Sequence, residues 1–159
     1  MIEKTLVLIK PDGVQRGISG KVIERFENAG LKITAMKMIW IDKEFSKKHY
    51  KDHITKAFYP TLEDMITSGP VIALVLEGVE AIEVVRKLVG GTEPKSAAPG
   101  TIRGDFSHHS YSYADKNKKS IANIIHASSS KKDAEFEVSL WFNKKEIHSY
   151  KTVHEKHTF

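Results

Sequence analysis

Apolar residues in this chain fall into short runs and stripes whose spacing predicts alternating strands and helices. Thr5 to Ile9 is a run of β-formers, stopped by Lys10-Pro11-Asp12-Gly13, where Pro sets φ and Gly admits a positive φ, the signature of a turn. Ile18, Val22, Ile23, Phe26 and Ala29 then recur at helical spacing, with Ser19 as candidate N-cap and Gly30 as terminator. Leu31 to Ile41 alternates as a strand, although Lys32 and Lys37 interrupt its apolar character. Residues 43–57 are heavily charged, yet Phe45, His49, His53 and Ile54 form a narrow stripe that predicts a surface helix. A short helical piece follows Pro60, and Gly69-Pro70 introduces a strand from Val71 to Leu76. Val79, Ile82, Val85, Arg86, Leu88 and Val89 describe a further amphipathic helix, ended by Gly90-Gly91.

From Gly90 to Ala122 no long period appears, over a stretch longer than the ~12–15 residues of ordinary connections. Such a segment is either disordered or functional. Asn123 to Ala127 reads as one more strand. Residues 131–142 fit two patterns: Ala134, Phe136, Val138 and Leu140 alternate, whereas Ala134, Val138, Trp141 and Phe142 suit a helix. The order predicts an α+β fold, a compact four-stranded sheet with helices over one face. The ferredoxin-like βαββαβ arrangement with an antiparallel sheet is the natural candidate.

Composition narrows the classes. A chain of 159 residues, 40% hydrophobic and 28% charged, is expected to form a single domain spanning 1–159. No apolar run approaches the ~18–20 residues needed to span a bilayer, so no membrane role is expected. The N-terminus carries no visible secretory pattern. The chain has no cysteine, which excludes disulfides, thiolate catalysis and cysteine-ligated metal, and fits a cytoplasmic protein. A formal charge of +5 points to anionic partners, but the basic residues are scattered, so nucleic acid is not expected as the main partner.

Three strings carry chemistry. His126, in Ile124-Ile125-His126-Ala127-Ser128-Ser129-Ser130, follows an apolar run, where a strand end exposes its ring to a cleft and neutral imidazole is a nucleophile. Lys10 stands where a strand meets a turn. In Pro99-Gly100-Thr101-Ile102-Arg103-Gly104-Asp105-Phe106 two glycines flank an arginine, so backbone approaches a ligand while the guanidinium grips phosphate oxygens. Gly17-Ile18-Ser19-Gly20-Lys21 is not a phosphate loop: its glycine spacing is too short, and Val22 stands where the magnesium-binding hydroxyl would be.

Together, Ile9 to Gly17, Ser68-Gly69-Pro70-Val71, Pro99 to Phe106 and Asn123 to Ser128 closely resemble nucleoside diphosphate kinases, in family order and over residues 3–150. The resemblance implies transfer of the γ-phosphate of a nucleoside triphosphate to a nucleoside diphosphate through a phosphohistidine, with Mg2+ held mainly by the nucleotide phosphates. It implies a ferredoxin-like core and a homo-oligomer, commonly a hexamer. By position it makes His126 the nucleophile, Glu137 the carboxylate orienting its ring, and Lys10 a neighbour of the transferred group. Arg86, Thr92 and Arg103 match phosphate-binding positions, Asn123 the ribose contact and Phe58 the aromatic under the base. Tyr50 and Ser128 match further residues of the phosphoryl pocket, and residues 131–142 become a helix.

The chain departs from the family in two places. Ser107 to Ala122 looks like an insertion (107–122) similar to that of archaeal members, which puts in question any base contact from this loop and leaves a neighbouring subunit as its alternative partner. Ser129-Ser130 stand where many relatives have Asp-Ser. The adjacent His108 and His109 are expected to be solvated rather than metal-binding. The alternative function is a catalytically weak nucleotide- or nucleic-acid-binding module of the same fold. It would retain salt-dependent binding without His126.

Overall fold

The computed structural model describes residues 1–159. Its sheet has four strands, β1 (Ile2–Ile9), β2 (Lys32–Ile39), β3 (Val71–Val79) and β4 (Ile125–Ala127), in the order β2-β3-β1-β4. All three pairings are antiparallel, as the ferredoxin-like arrangement requires. The helices are α1 (Pro11–Gln15), α2 (Ser19–Asn28), α3 (Lys43–His49), α4 (Tyr59–Ile66), α5 (Ala81–Val89), α6 (Ile102–Phe106), α7 (Tyr111–Lys116), α8 (Lys131–Trp141) and α9 (Glu155–Thr158).

Both faces of the sheet are covered, not one as the element order suggested. Thr5 to Ile9 is fully buried, because β1 is central and its alternate side chains enter two cores. Val7 and Ile9 pack with Phe26, Val85, Ile125 and Ala127 beneath α2 and α5. Leu6 and Leu8 pack with Tyr59, Ile66, Trp141 and Phe142 on the opposite side. A continuous apolar run rather than an alternating one marks a strand buried on both faces.

The Pro11-Asp12-Gly13 string opens a helix instead of a turn. Pro11 occupies its first turn, where a missing N–H costs nothing. Gly13 is required by crowding rather than by a positive φ. A Cβ there would lie 2.9 Å from Ile9 Cγ2 and 3.0 Å from Ile124 Cγ2. Ser19 is likewise inside α2 and not its cap, which is Ile18. Residues 43–57 divide: α3 stops at His49, which is buried, whereas Ile54 at the far end of the stripe is exposed.

Residues 131–142 resolve as helix through residue 141. Ala134, Glu137 and Trp141 share its buried face, and the Ser130 hydroxyl accepts the Asp133 N–H at 3.1 Å to start it. The aperiodic stretch 90–122 is ordered by α6 and α7, capped by Thr101 and Ser110.

Candidate active site

His126 sits in the middle of β4, opposite Leu8 of β1. Its neighbours Ile125 and Ala127 enter the core under α5, so strand alternation turns the imidazole to the other face, toward α3 and α8. Nε2 of His126 lies 2.9 Å from Glu137 Oε1. The second carboxylate oxygen accepts the Ser128 hydroxyl at 2.6 Å, and that hydroxyl accepts the Leu6 N–H at 3.2 Å. Glu137 is 7% exposed and Ser128 is fully buried, so the carboxylate is fixed from both oxygens. A carboxylate on Nε2 selects the tautomer with its proton there and leaves the Nδ1 lone pair free.

The backbone entering β4 is strained. Ile124, a β-branched residue, has a φ of 72°, a region such side chains rarely enter. Two groups from the β1–α1 junction hold it. The Asp12 carboxylate accepts the Ile124 N–H at 2.9 Å, and the Lys10 N–H donates to the Ile124 carbonyl at 2.8 Å. The same junction thereby sets both Lys10 and the approach to His126.

Lys10 is 5% exposed and its ammonium donates to Asn123 Oδ1. The Asn123 amide donates in turn to the Thr92 carbonyl at 2.8 Å. Arg103 donates to the carbonyls of Gly90, at 3.0 Å, and Ile125, at 2.8 Å, which ties α6 to β4. Arg86, at the end of α5, is exposed nearby. Burial pushes the Lys10 amine down to about 8, with repulsion from Arg103 adding to it and Asp12 opposing. Burial, then the charge of Arg86, lowers Arg103 to about 10. Lys10, Arg86 and Arg103 form no ion pair with any carboxylate. Three neighbouring cations, none of them in an ion pair, constitute a site for an anion of several charges.

Tyr50 ends α3, and burial raises its hydroxyl well above the ordinary tyrosine range, so it remains a donor. Its ring centroid lies 6.4 Å from that of His126. Phe58, before α4, is 51% exposed over a cavity of about 400 Å3 that reaches Lys10, Asn123 and His126. A second lobe of about 450 Å3 holds Arg86, Thr92, Arg103 and Glu137, and the two lobes meet at Tyr50, Arg103 and His126. A larger hollow of about 580 Å3, between the start of β1 and α8, lies on another part of the surface and contains neither the histidine nor the cations.

The chain matches the family model for nucleoside diphosphate kinase over residues 3–147. A nucleoside diphosphate kinase from Pyrococcus horikoshii is 55% identical over 148 residues, 93% of this chain and 90% of the relative. The chain belongs to the nucleoside diphosphate kinase family. Its activity is accordingly the transfer of the γ-phosphate of a nucleoside triphosphate to a nucleoside diphosphate. Among solved structures, a transition-state mimic of the Borrelia burgdorferi kinase with bound vanadate and ADP superposes with a TM-score of 0.95. The two are 49% identical, and the match covers 99% of this chain and 96% of that one. A Halobacterium salinarum kinase in complex with CDP gives 0.88 at 38% identity, covering 100% of this chain and 99% of the other.

The fold of this nucleoside diphosphate kinase brings every residue that the family resemblance singled out to one cleft or its wall. It also brings in residues that the sequence did not single out for this site. His49 accepts the Trp141 indole N–H on Nδ1 at 3.1 Å, which places its own proton on Nε2, a buried atom without a partner. Its ring meets His126 edge-on at 4.8 Å, and burial holds it neutral. The helical stripe of His49 was legible, but nothing local distinguishes its inward side. Ser129 and Ser130 both donate to Asp133, so a carboxylate from α8 lines the second lobe. His109 is not merely solvated as expected: its Nδ1 accepts the Ala122 N–H at 3.1 Å.

Proposed function

We propose that this kinase works by a ping-pong mechanism through Nδ1 of His126. The nucleotide's phosphates lie among Lys10, Arg86, Thr92 and Arg103, its ribose meets Asn123, and its base stacks on Phe58. Nδ1 attacks the γ-phosphorus; the bond to the β–γ bridging oxygen breaks and its electron pair leaves with the diphosphate. A terminal oxygen of the next diphosphate then attacks the same phosphorus, and the P–N bond breaks to restore neutral His126. Glu137 stabilises the ring as it gains positive character, and Ser128 holds Glu137. Lys10 and Tyr50 donate to the phosphoryl oxygens, and the cations offset their charge. Base stacking requires only a π-face, which suits a broad range of bases.

The observation that carries this reading is a histidine ring, fixed through Nε2, at the junction of an unpaired cationic lobe and an aromatic-walled lobe. A coupled assay of ATP-dependent triphosphate formation over several diphosphates tests it. The unmodified chain should turn over all of them and His126→Ala none. Undiminished turnover by the variant would remove His126 from the mechanism.

Mg2+ fits this arrangement through the nucleotide. Of the three groups close enough to form a metal site, His49 Nε2 carries a proton, while His126 and Glu137 bond to each other. The nucleotide phosphates would then hold the ion, which would offset their charge. We also infer a single domain over 1–159 and a homo-oligomer, with hexamer as the expected state. Exposed Met36, Met38 and Trp40 along the edge of the sheet support assembly. Light scattering should give six times the 17.9 kDa chain mass. A cytoplasmic location is consistent with a cysteine-free chain acting on nucleoside triphosphates. No helix is long and apolar enough to cross a membrane.

A further inference from the structure

The inserted segment 107–122 folds back onto its own subunit's cleft. Its neck is closed by the Ser107 hydroxyl donating to the Ala122 carbonyl at 2.9 Å and by the His109 ring accepting the Ala122 N–H. Two further bonds fasten it to the segment after α5: Lys95 N–H to the His109 carbonyl at 3.0 Å, and Tyr111 N–H to Glu93 Oε1 at 3.0 Å. Glu93 also accepts the Ser96 hydroxyl at 2.9 Å. Ala114 is buried, so α7 has an inner side packed against the body. The segment is therefore a built wall.

That wall stands across the cavity from Phe58 and Leu62. Tyr111, Asp115, Lys119 and Ile121 line the same 400 Å3 space as the exposed phenylalanine. The cavity beside Phe58 therefore has two sides, one of them made by the insertion. Neither Asp115 nor Lys119 takes part in a side-chain hydrogen bond or ion pair within the chain; Lys119 only overlies the Tyr113 ring at 4.9 Å. Both side chains border the cavity that Phe58 lines, with no partner inside the chain.

We propose that the insertion makes this kinase discriminate among bases, with Asp115 and Lys119 as specificity-determining residues that favour guanine. A carboxylate accepts two parallel bonds only from adjacent donors, and guanine offers N1–H beside the 2-amino group, with the O6 acceptor next to them for an ammonium. Adenine and cytosine place a ring acceptor beside their amino group, which a carboxylate repels. Uracil offers a single N–H between two carbonyls. A well-formed bidentate pair of this kind discriminates by about tenfold or more.

The inference rests on Phe58 as the stacking face and on a phosphoenzyme intermediate, so the experiment separates the two levels. Phosphoenzyme is prepared from the full chain with ATP, freed of nucleotide, and discharged by GDP, IDP or ADP below saturation. IDP keeps O6 and N1–H but lacks the 2-amino group. The unmodified enzyme should discharge to GDP about tenfold faster than to IDP. Asp115→Ala and Asp115→Asn should bring that ratio near one, and Lys119→Ala should narrow the ratio of GDP to ADP. Each ratio is taken within one preparation, so a partly unfolded variant does not distort it. Phosphoenzyme that forms normally but shows no preference for GDP over IDP, or a preference untouched by Asp115→Ala, overturns the inference alone. Failure of the unmodified chain to form phosphoenzyme overturns the underlying reading and the inference with it.

Discussion

The two lobes of the cleft are built in opposite ways. Among the groups assigned to His126, the phosphates and the ribose, Lys10 and Glu137 are almost fully buried, and Glu137, Asn123 and Arg103 are each fixed by at least two hydrogen bonds. In the base lobe Phe58 is half exposed, and Asp115 and Lys119 stand free in solvent. The difference follows the chemistry. Phosphoryl transfer is the same for every nucleotide and gains from groups that need not reorganise. Base binding must accept several shapes, and a π-face with solvent-exposed edge contacts does so at little cost in ordering. The phosphate lobe should therefore control kcat and carry a stability cost, while the base lobe should control KM and carry none.

Lys10→Met tests this contrast most severely. Loss of one preorganised cation from the phosphoryl group should lower kcat/KM by roughly 10²–10³-fold. The same change should stabilise the fold. The native Lys10 pKa of about 8 lies below the ordinary 10.5, so the unfolded chain holds a proton that the native state releases between those values. Stability gained from this group thus rises with pH across that window, and at pH 7 the buried ammonium costs up to about 3 kcal/mol. Thermal melts of both proteins from pH 7 to 10 should show the variant ahead at pH 7 and the gap closing by about pH 10. In the same window, kcat/KM of the unmodified enzyme should fall above about pH 8 as Lys10 loses its proton.

Glu137→Gln sharpens the comparison. The amide keeps the size and one oxygen but supports an imidazolium less well, so kcat should drop roughly 10–100-fold with KM little changed, read by steady-state kinetics. Phe58→Ala should show the opposite split, raising KM about tenfold while kcat holds. If Phe58→Ala instead lowered kcat as far as Glu137→Gln does, the two lobes would not be separable.

The same division governs what the sequence made legible. The base lobe was the less readable: residues 90–122 have no period, because α6 and α7 are short and held by capping hydroxyls and side-chain-to-backbone bonds rather than by an apolar stripe. The β1 run and the α5 stripe were readable because they bury continuous or periodic apolar surface. The α8 segment satisfied two periods at once, and likeness to the family rather than either period decided for the helix, whose buried face is Ala134, Glu137 and Trp141. His49 could not be oriented, since its partner Trp141 lies 92 positions away. Lys10 and Asn123 are 113 positions apart, so their contact was readable only through likeness to a family. Gly13 shows the limit of local rules: its turn-like string opens a helix, and the cause of the glycine is crowding by Ile9 and the strained Ile124.

The central claim is that Glu137 occupies Nε2 of His126 and so commits Nδ1 to the phosphoryl group. The direct measurement is to phosphorylate the enzyme with radiolabelled ATP, digest it in base, and separate the two phosphohistidine isomers while mapping the labelled peptide. The account predicts acid-labile, base-stable phosphate on the His126 peptide alone, entirely as the Nδ1 isomer and absent from His126→Ala. Label on Nε2, or label persisting in that variant, would contradict it.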